Sequence, residues 1–221
     1  MRYTEFVSEA ISRRGFLKGA AAAAGAAAGG YQIAKNLATP PEERPKVIHK
    51  QFSPLSNNPE LETFLLDQAR SAGIHGLELA QFMAQTMFET WNFTKLKEKP
   101  VGPKYFAKKY DPKYAPKTAK ILGNTKPGDG EKYHGRGFIQ LTGRDNYLRA
   151  SKALGIDLIN NPDLAADPKI AAQIAVWYWK SRVKPFVTDF SDTRQVTQKI
   201  NPALHGLDRR HHKFLNYEKI L

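Results

Sequence analysis

Two carboxylates, Glu89 and Glu98, stand nine residues apart in surroundings of opposite character. Glu89 ends a segment with helical periodicity and has aromatic neighbours. Both an apolar environment and a helix C-terminus disfavour a charged carboxylate. Glu98 lies among cations that favour its ionised form, namely Lys95, Lys97 and Lys99. Two carboxyl groups whose environments push them in opposite directions can act as a general acid and a general base.

Each carboxylate also has a less specialised interpretation. Glu89 could be a surface acid that pairs with Lys95 or Lys97, and Glu98 could be a solvated member of a basic loop. An acid/base pair that inverts a glycosidic bond needs roughly 6.5–9.5 Å between its carboxyl groups, which leaves room for a water. Nine residues that leave a helix and enter a loop or hairpin can reach that separation. Spacing alone leaves both interpretations open.

Residues 133–147 read YHGRGFIQLTGRDNY and contain the most distinctive pattern in the chain. Glycines bracket an apolar-polar alternation at 138–142, which predicts a short strand bounded by turns. On that strand Gln140 and Thr142 share one face, and aliphatic residues occupy the other. A polar face of this kind suits the wall of a cleft. An ordinary hairpin whose polar face meets water is the alternative.

This stretch resembles the signature of glycoside hydrolase family 19, which comprises chitinases and related phage and bacterial endolysins. The resemblance extends to the preceding Asn-Thr-x-Pro-Gly-Asp-Gly run at 124–130 and to Glu89-Thr90. Phe88 stands where the family commonly has histidine. Further along, Val196, Thr197, Ile200 and Asn201 match a family motif, but Pro202-Ala203 replaces its paired glycines.

The resemblance implies hydrolysis of a β-1,4 glycosidic bond with inversion. It assigns Glu89 as the general acid, Glu98 as the base and Thr142 as the residue that orients the attacking water. It also implies substrate contacts from five residues: Gln140, Asn146, Asn201, Arg136 and Tyr133. For Arg136 a structural ion pair is the alternative.

The charge balance favours an anionic substrate. The 221 residues include 34 Lys and Arg against 21 Asp and Glu, a net charge of +13. Such an excess attracts polyanions, yet no nucleic-acid-binding signature accompanies it. Because peptidoglycan is anionic and chitin is neutral, we expect a cell-wall endolysin or muramidase that also contacts anionic wall polymers. The alternatives are a chitinase, a lytic transglycosylase and a non-catalytic wall-binding or virion module.

Cofactor chemistry has no support in the sequence. The chain has no cysteine, which excludes disulfides and cysteine-based metal sites. The histidines at 205, 211 and 212 form no metal-ligand pattern with nearby carboxylates. We therefore expect an enzyme with neither cofactor nor metal, acting as a monomer.

The N-terminus resembles a twin-arginine export signal. Arg13-Arg14 is followed by Gly-Phe-Leu-Lys and then by a run of only Ala and Gly at 19–30. This pattern predicts export to the periplasm or cell envelope. The alternatives are a basic tail on a virion or cytoplasmic protein and a phage-encoded lysis protein.

The domain boundaries follow from composition. We expect a signal or basic tail at 1–30, a proline-containing linker at 31–55 and one catalytic domain at 56–221. The fold class is α+β, mainly α, resembling the lysozyme-like architecture with a small β-hairpin beside the cleft. Aromatic and basic residues at 105–114 could stack on sugars or latch onto the core, and we favour the latch. Helices are predicted at Asn58 to Gly73, 76–89, 117–123, 144–154, 168–183 and 191–201, with a final helix after Gly206.

Overall fold

The computed structural model describes residues 52–221, whose regular elements are helices joined by turns. The α-helices are α1 (Pro59–Ser71), α2 (Gly76–Glu89), α3 (Tyr105–Tyr110), α4 (Pro116–Leu122), α5 (Asp129–Lys132), α6 (Arg144–Leu154), α7 (Pro168–Tyr178), α8 (Thr193–Ile200) and α9 (Leu207–Ile220). A 3₁₀ helix (Pro162–Ala166) precedes α7, and a π-helical turn (Trp179–Val183) extends it. Within this part of the chain, no helix has the length and apolar character that a membrane span requires.

Helices α1 and α2 confirm the predicted boundaries. The Asn58 side chain accepts a hydrogen bond from the Leu61 amide at 3.2 Å, and Pro59 is the first helical residue. Gly73, with φ of 79°, turns the chain toward α2. Helix α2 ends at Glu89, so the candidate acid occupies a helix C-terminus.

Helix α2 lies at the centre of the hydrophobic core. Its predicted apolar stripe is buried throughout, at Leu79, Phe82, Met83, Thr86 and Met87. The helix packs most extensively against α9. Trp177 and Trp179, predicted to be core residues, are only 8% and 2% exposed. The α2–α9 pair is therefore the scaffold on which the candidate site is built.

The predicted strand at 138–142 is not formed. The Gln140 amide instead closes a turn by donating to the Gly137 carbonyl at 3.2 Å, with φ of 77° at Gly137 and 50° at Gln140. Positive φ values interrupt the alternation of faces on which the prediction depended. Among the described residues the hairpin is reduced to isolated antiparallel bridges, Lys97 with Arg136 and Arg136 with Leu141.

The short helix α5 begins within the Asn-Thr-x-Pro-Gly-Asp-Gly run at 124–130. Helix α5 packs against α3. At this contact a Cβ on Gly130 would lie 2.9 Å from the Phe106 carbonyl oxygen, so the approach requires glycine. The contact fixes α3 beside the turn that replaces the predicted strand.

Glu62 on α1 is fully buried and joins three parts of the chain. Its carboxylate accepts hydrogen bonds from the Leu55 and Ser56 amides at 3.0 and 2.7 Å. It also accepts one from the Tyr217 hydroxyl of α9 at 2.7 Å. Burial first, and then the adjacent Glu62 carboxylate, raises the pKa of Tyr217 above its ordinary value. The phenol therefore keeps its proton and remains a donor.

We expect Tyr217→Phe to lower the free energy of unfolding by about 1–3 kcal/mol, because Glu62 stays buried after losing a donor. Denaturant titration measures this change. Tyr114→Phe is the control, because Tyr114 is 47% exposed, and it should change little.

The same phenol predicts an alkaline loss of stability. Above the ordinary tyrosine pKa of 10.0, the unfolded chain releases a proton that folded Tyr217 keeps, so the free energy of unfolding falls as pH rises. The fall should be shallower in Tyr217→Phe. Equal pH slopes in the two proteins would contradict this assignment.

Candidate active site

One cleft, with a volume of ≈ 650 Å³, brings most of the predicted site residues together. Its lining includes Glu89, Glu98, Gln140, Thr142 and Asn201. Six cationic side chains also line it: Lys95, Lys97, Lys99, Arg209, Arg210 and Lys213. The two candidate catalytic carboxylates therefore face a common, strongly cationic space.

Glu89 is positioned by α2 and by a buried arginine. Its side chain is 6% exposed, and its Oε1 accepts a hydrogen bond from Nη2 of Arg210 at 2.5 Å. The aromatic neighbours Phe88 and Trp91 line the cleft with Glu89, and α9 adds a guanidinium that the sequence did not predict.

Arg210 has no solvent exposure and uses its donors in several directions. Its Nη1 donates to Oε1 of Gln85 at 2.6 Å, and its Nε donates to the His205 carbonyl at 3.1 Å. Its Cζ lies 4.0 Å from the centroid of the Phe88 ring. Phe88 thus supports the arginine by a cation–π contact, although it lacks the hydrogen-bonding groups of histidine.

A left-handed turn follows Glu89. Trp91, Asn92 and Phe93 have φ of 53°, 59° and 59°, a conformation that costs non-glycine residues about 1–2 kcal/mol each. The Phe93 amide donates to Oγ1 of Thr90 at 3.1 Å, and Nζ of Lys213 donates to Oδ1 of Asn92 at 2.6 Å. Strain of this kind persists where surrounding contacts enforce it, as at binding sites.

Glu98 is held by the short helix α3. Its Oε1 accepts hydrogen bonds from Nζ of Lys109 at 3.0 Å and from the Tyr105 hydroxyl at 3.3 Å. Its Oε2 accepts one from the Tyr110 hydroxyl at 2.9 Å. These donors bind both carboxylate oxygens and fix the orientation of Glu98. The latch interpretation of this segment is confirmed and extended, since Phe106 and Tyr110 are buried in the core.

The three lysines predicted to surround Glu98 do not contact its carboxylate. Lys97 pairs with Asp163 at 3.2 Å, and Nζ of Lys95 lies 4.7 Å from the centroid of the Trp91 ring. The prediction identified the correct charge but the wrong lysines.

Gly135 marks the point where three predicted site residues converge. A Cβ at Gly135 would lie 3.2 Å from Oε2 of Glu98, 3.3 Å from Oγ1 of Thr142 and 3.0 Å from Oε1 of Gln140. The Glu98 amide also donates to the Gly135 carbonyl at 2.9 Å. The candidate base and the candidate water-orienting hydroxyl are therefore neighbours.

Asn146 lies outside the lining of the cleft and acts on Thr142. Its Nδ2 donates to the Thr142 carbonyl at 2.8 Å, while the Thr142 hydroxyl donates to the Gln140 carbonyl at 2.8 Å. Asn146 therefore fixes the backbone that presents Thr142.

Tyr133 and Arg136 lie outside the lining of the cleft, and Arg136 forms the ion pair that was its alternative role. Tyr133 is 0% exposed, and its hydroxyl donates to the Ile159 carbonyl at 3.2 Å. Arg136 is 4% exposed; its Nε donates to Asp163 at 3.0 Å and its Nη1 to the Tyr147 hydroxyl at 2.9 Å. Their polar groups are committed to internal partners, so they hold the turn rather than a ligand.

Asn201 ends α8 and reaches the cleft despite the altered turn that follows it. Its Oδ1 accepts a hydrogen bond from the His205 amide at 3.2 Å. A Cβ on Gly206 would lie 2.2 Å from the Phe88 ring. Glycine at that position therefore allows the turn to close over Phe88.

Arg210 and the α3 donors were missed by sequence reasoning. Arg210 shares a buried helical face with Phe214 and Tyr217 at i+4 and i+7, and a charge on such a face requires a partner. That signal was available. The spacing of Tyr105 and Lys109 places them on one helical face, but it does not reveal which carboxylate they reach.

The arrangement is suited to acid/base chemistry by two carboxyl groups that have different partners. Glu89 is paired with a guanidinium, and Glu98 is held by an ammonium and two phenols. In the described part of the chain, no group of three or more His, Asp or Glu side chains is arranged to hold a metal ion.

We expect Arg210→Lys to lower the free energy of unfolding by about 1–3 kcal/mol, because one ammonium cannot replace a planar fork that serves Glu89, Gln85 and His205 together. Denaturant titration checks this. Arg209→Lys, at an exposed position of the same helix, should change stability by less than about 0.5 kcal/mol. Equal effects of the two substitutions would contradict the network.

Comparison with known proteins gives a family match. Residues 67–202 match the sequence model of a glycosyl hydrolase family described as chitinase class I. Over 166 residues the chain is 36% identical to a glycosyl hydrolase family 19 domain-containing protein of Haemophilus influenzae, covering 65% of this chain and 80% of that protein. It is also 36% identical over 122 residues to an endochitinase of Persea americana, covering 49% of this chain but 33% of the plant protein.

A solved structure supports the same relationship. Chitinase C from Streptomyces griseus aligns with a TM-score of 0.50 and 28% identity, over 65% of this chain and 71% of that chain. Together, the family match, the bacterial relative and the mainly helical, lysozyme-like fold place this chain in glycoside hydrolase family 19, as a glycosidase.

Proposed function

We propose that this glycosidase hydrolyses β-1,4 bonds between the amino sugars of peptidoglycan, with inversion at the anomeric carbon. The observation that carries the proposal is the composition of the cleft. Six cationic side chains line it together with only two carboxylates, Glu89 and Glu98. An excess of this sign concentrates an anionic glycan and does little for a neutral one.

Glu89 acts as the general acid. It gives its proton to the glycosidic oxygen as the bond to the anomeric carbon breaks, and it becomes a carboxylate. Arg210, which donates to Oε1 of Glu89 at 2.5 Å, stabilises that carboxylate as it forms. The buried guanidinium therefore assists proton transfer to the leaving group.

Glu98 acts as the general base. A water attacks the anomeric carbon from the opposite face and transfers its proton to Glu98, while Thr142 orients the water. Oε2 of Glu98 and Oγ1 of Thr142 lie within 3.3 Å of one point beside Gly135, which supports this pairing. Lys109 and Tyr110 hold the Glu98 carboxylate in place through hydrogen bonds.

Gln140 and Asn201 are the substrate-binding residues in this proposal. Both line the cleft, and their amide groups can form hydrogen bonds with hydroxyl or N-acetyl groups of the sugars. Asn146 contributes indirectly, through its hydrogen bond to the Thr142 carbonyl.

A chitinase is the second candidate. It is favoured by the names of the relatives, since the plant protein is an endochitinase and the solved structure is a chitinase. The chain, however, spans only about a third of the plant enzyme. Chitin also carries no charge that would exploit the cationic lining.

Two further rivals concern the chemistry. A lytic transglycosylase would use one carboxylate and leave a 1,6-anhydro end, so that Glu98 would matter little. A wall-binding or virion module with no activity would be supported by Phe88 and Pro202-Ala203, where the chain departs from the family pattern.

The place of action is also a proposal. The twin-arginine-like segment at 1–30 lies outside the described residues, as does the predicted linker as far as residue 51. Export to the periplasm or cell envelope would bring the enzyme to its proposed substrate. A phage-encoded lysis protein would meet the same substrate.

We expect the full chain to release muropeptides with reducing sugar ends from purified peptidoglycan. Glu89→Gln and Glu98→Gln should each lower the rate by about 10²–10⁴-fold, the usual contribution of a general acid or base. Mass analysis of the products and a reducing-end assay measure both quantities. Anhydro ends, or full activity of Glu98→Gln, would contradict the mechanism, and cleavage of chitin oligomers alone would contradict the substrate.

We expect Gly135→Ala to lower the rate by about three- to tenfold, because a 1 Å displacement of a catalytic group can cost about 10²-fold and the displacement needed here is a few tenths of an ångström. The new methyl would lie 3.0–3.3 Å from the side chains of Glu98, Thr142 and Gln140, so these must shift. Gly155→Ala is the control: it also adds a methyl, but nothing lies within 4 Å of its Cβ. Gly155→Ala should lower stability but not activity, because φ at this position is 68°, a value that is unfavourable for alanine. If folded Gly135→Ala keeps its activity, the claim that the side chains near Gly135 form the catalytic site is contradicted.

A further inference from the structure

We propose that Trp91 and Lys95 form a binding subsite for an amino sugar that carries a carboxylate substituent. The inference rests on the proposed function and deepens it, because it names the feature that distinguishes wall glycan from chitin. It also assigns that recognition to two particular side chains.

Trp91 presents an aromatic surface to the cleft. It lines the cleft and is 63% exposed, whereas Trp177 and Trp179 are buried. An exposed indole lacks the favourable free energy that removal of its apolar surface from water would give. Its flat apolar face matches the C–H face of a pyranose ring, so a bound sugar would recover that stabilisation.

Hydrogen bonds fix the backbone that carries this indole. Trp91 begins the left-handed turn at 91–93, which is tied on both sides. The Thr94 hydroxyl donates to the Trp91 carbonyl at 2.7 Å, and the Asn92 amide donates to the Met87 carbonyl at 2.9 Å. Lys213 holds the Asn92 side chain at 2.6 Å. A pre-organised platform loses less conformational entropy when a ligand binds.

Lys95 adds a positive charge at the same place. Its Nζ lies 4.7 Å from the centroid of the Trp91 ring, while Trp91 remains largely exposed. No carboxylate among residues 52–221 forms a salt bridge with Lys95, in contrast to Lys97, which pairs with Asp163. The ammonium can therefore pair with a carboxylate of the ligand.

The two groups together match one kind of sugar unit. A ring stacked on Trp91 would place a substituent at its edge within reach of Lys95, and a carboxylate there would be neutralised. Muramic acid units have this chemistry, through a lactyl group or through the acidic peptide attached to it. The units of chitin have the ring without the carboxylate.

Initial rates on three substrates test the proposal: intact peptidoglycan, glycan strands stripped of their peptides, and soluble chitin oligomers. The proteins are the full chain, Lys95→Gln, Trp91→Ala and Lys169→Gln. The last is the charge-matched control, because Lys169 is exposed and lies outside the lining of the cleft.

We expect Lys95→Gln to lower kcat/KM on intact peptidoglycan about two- to fivefold more than on chitin oligomers, the range of an exposed ion pair. Trp91→Ala should lower both by a similar factor, because both contain the ring. A selective loss that persists on stripped strands identifies the lactyl carboxylate, and one confined to intact material identifies the peptide. Lys169→Gln should leave the ratio unchanged.

A Lys95→Gln effect that is equal on charged and neutral glycans would overturn this inference alone. A full chain that cleaves chitin oligomers but neither wall substrate would overturn the proposed function, and the subsite with it. Thermal unfolding of each variant shows that the comparison is made between folded proteins.

Discussion

A guanidinium without solvent exposure is the constraint on which the site depends. Arg210 must satisfy its donors inside the protein, and it does so at Gln85, Glu89 and the His205 carbonyl. Loss of the Glu89 carboxylate would leave a buried guanidinium without a counter-ion, which is strongly destabilising, and loss of either other partner would leave a buried donor unsatisfied. The pairing therefore fixes how α9 lies on α2 and where the candidate acid points. It also fixes Phe88, whose ring lies against the same guanidinium.

The two carboxylates reach similar burial by different routes. Each has a side chain that is 6% exposed. Glu89 depends on a partner 121 residues away in sequence, whereas the side-chain donors to Glu98 follow it by 7 to 12 residues. A long-range pair ties the acid to the core. A local helix holds the base beside the turn at Gly135, where Thr142 is also found. This asymmetry suits a pair in which one carboxyl group donates a proton and the other accepts one.

Much of the fold could be predicted from local signals. The Asn58 cap, the breaks at Gly73 and Gly155 and the apolar stripe of α2 each act over a few residues, so the sequence pattern was sufficient. The strand at 138–142 could not be recognised as a turn, because a positive φ at Gln140 is rare for that residue type and depends on the packing around it. Five residues that the family resemblance named do line the cleft. The resemblance could not show that Tyr133 and Arg136 are buried. Contacts between distant segments, such as Arg210 with Glu89, required the structure.

The central claim is that two carboxylates act on opposite faces of the sugar, one through a water molecule. The most direct measurement is the anomeric configuration of the new reducing end, followed by proton NMR immediately after the full chain is mixed with a β-1,4-linked amino-sugar oligomer. Inversion predicts that the α-anomer appears first and then equilibrates by mutarotation. A β-anomer formed first would mean retention. That result would contradict the assignment of Glu98 as the base that activates water.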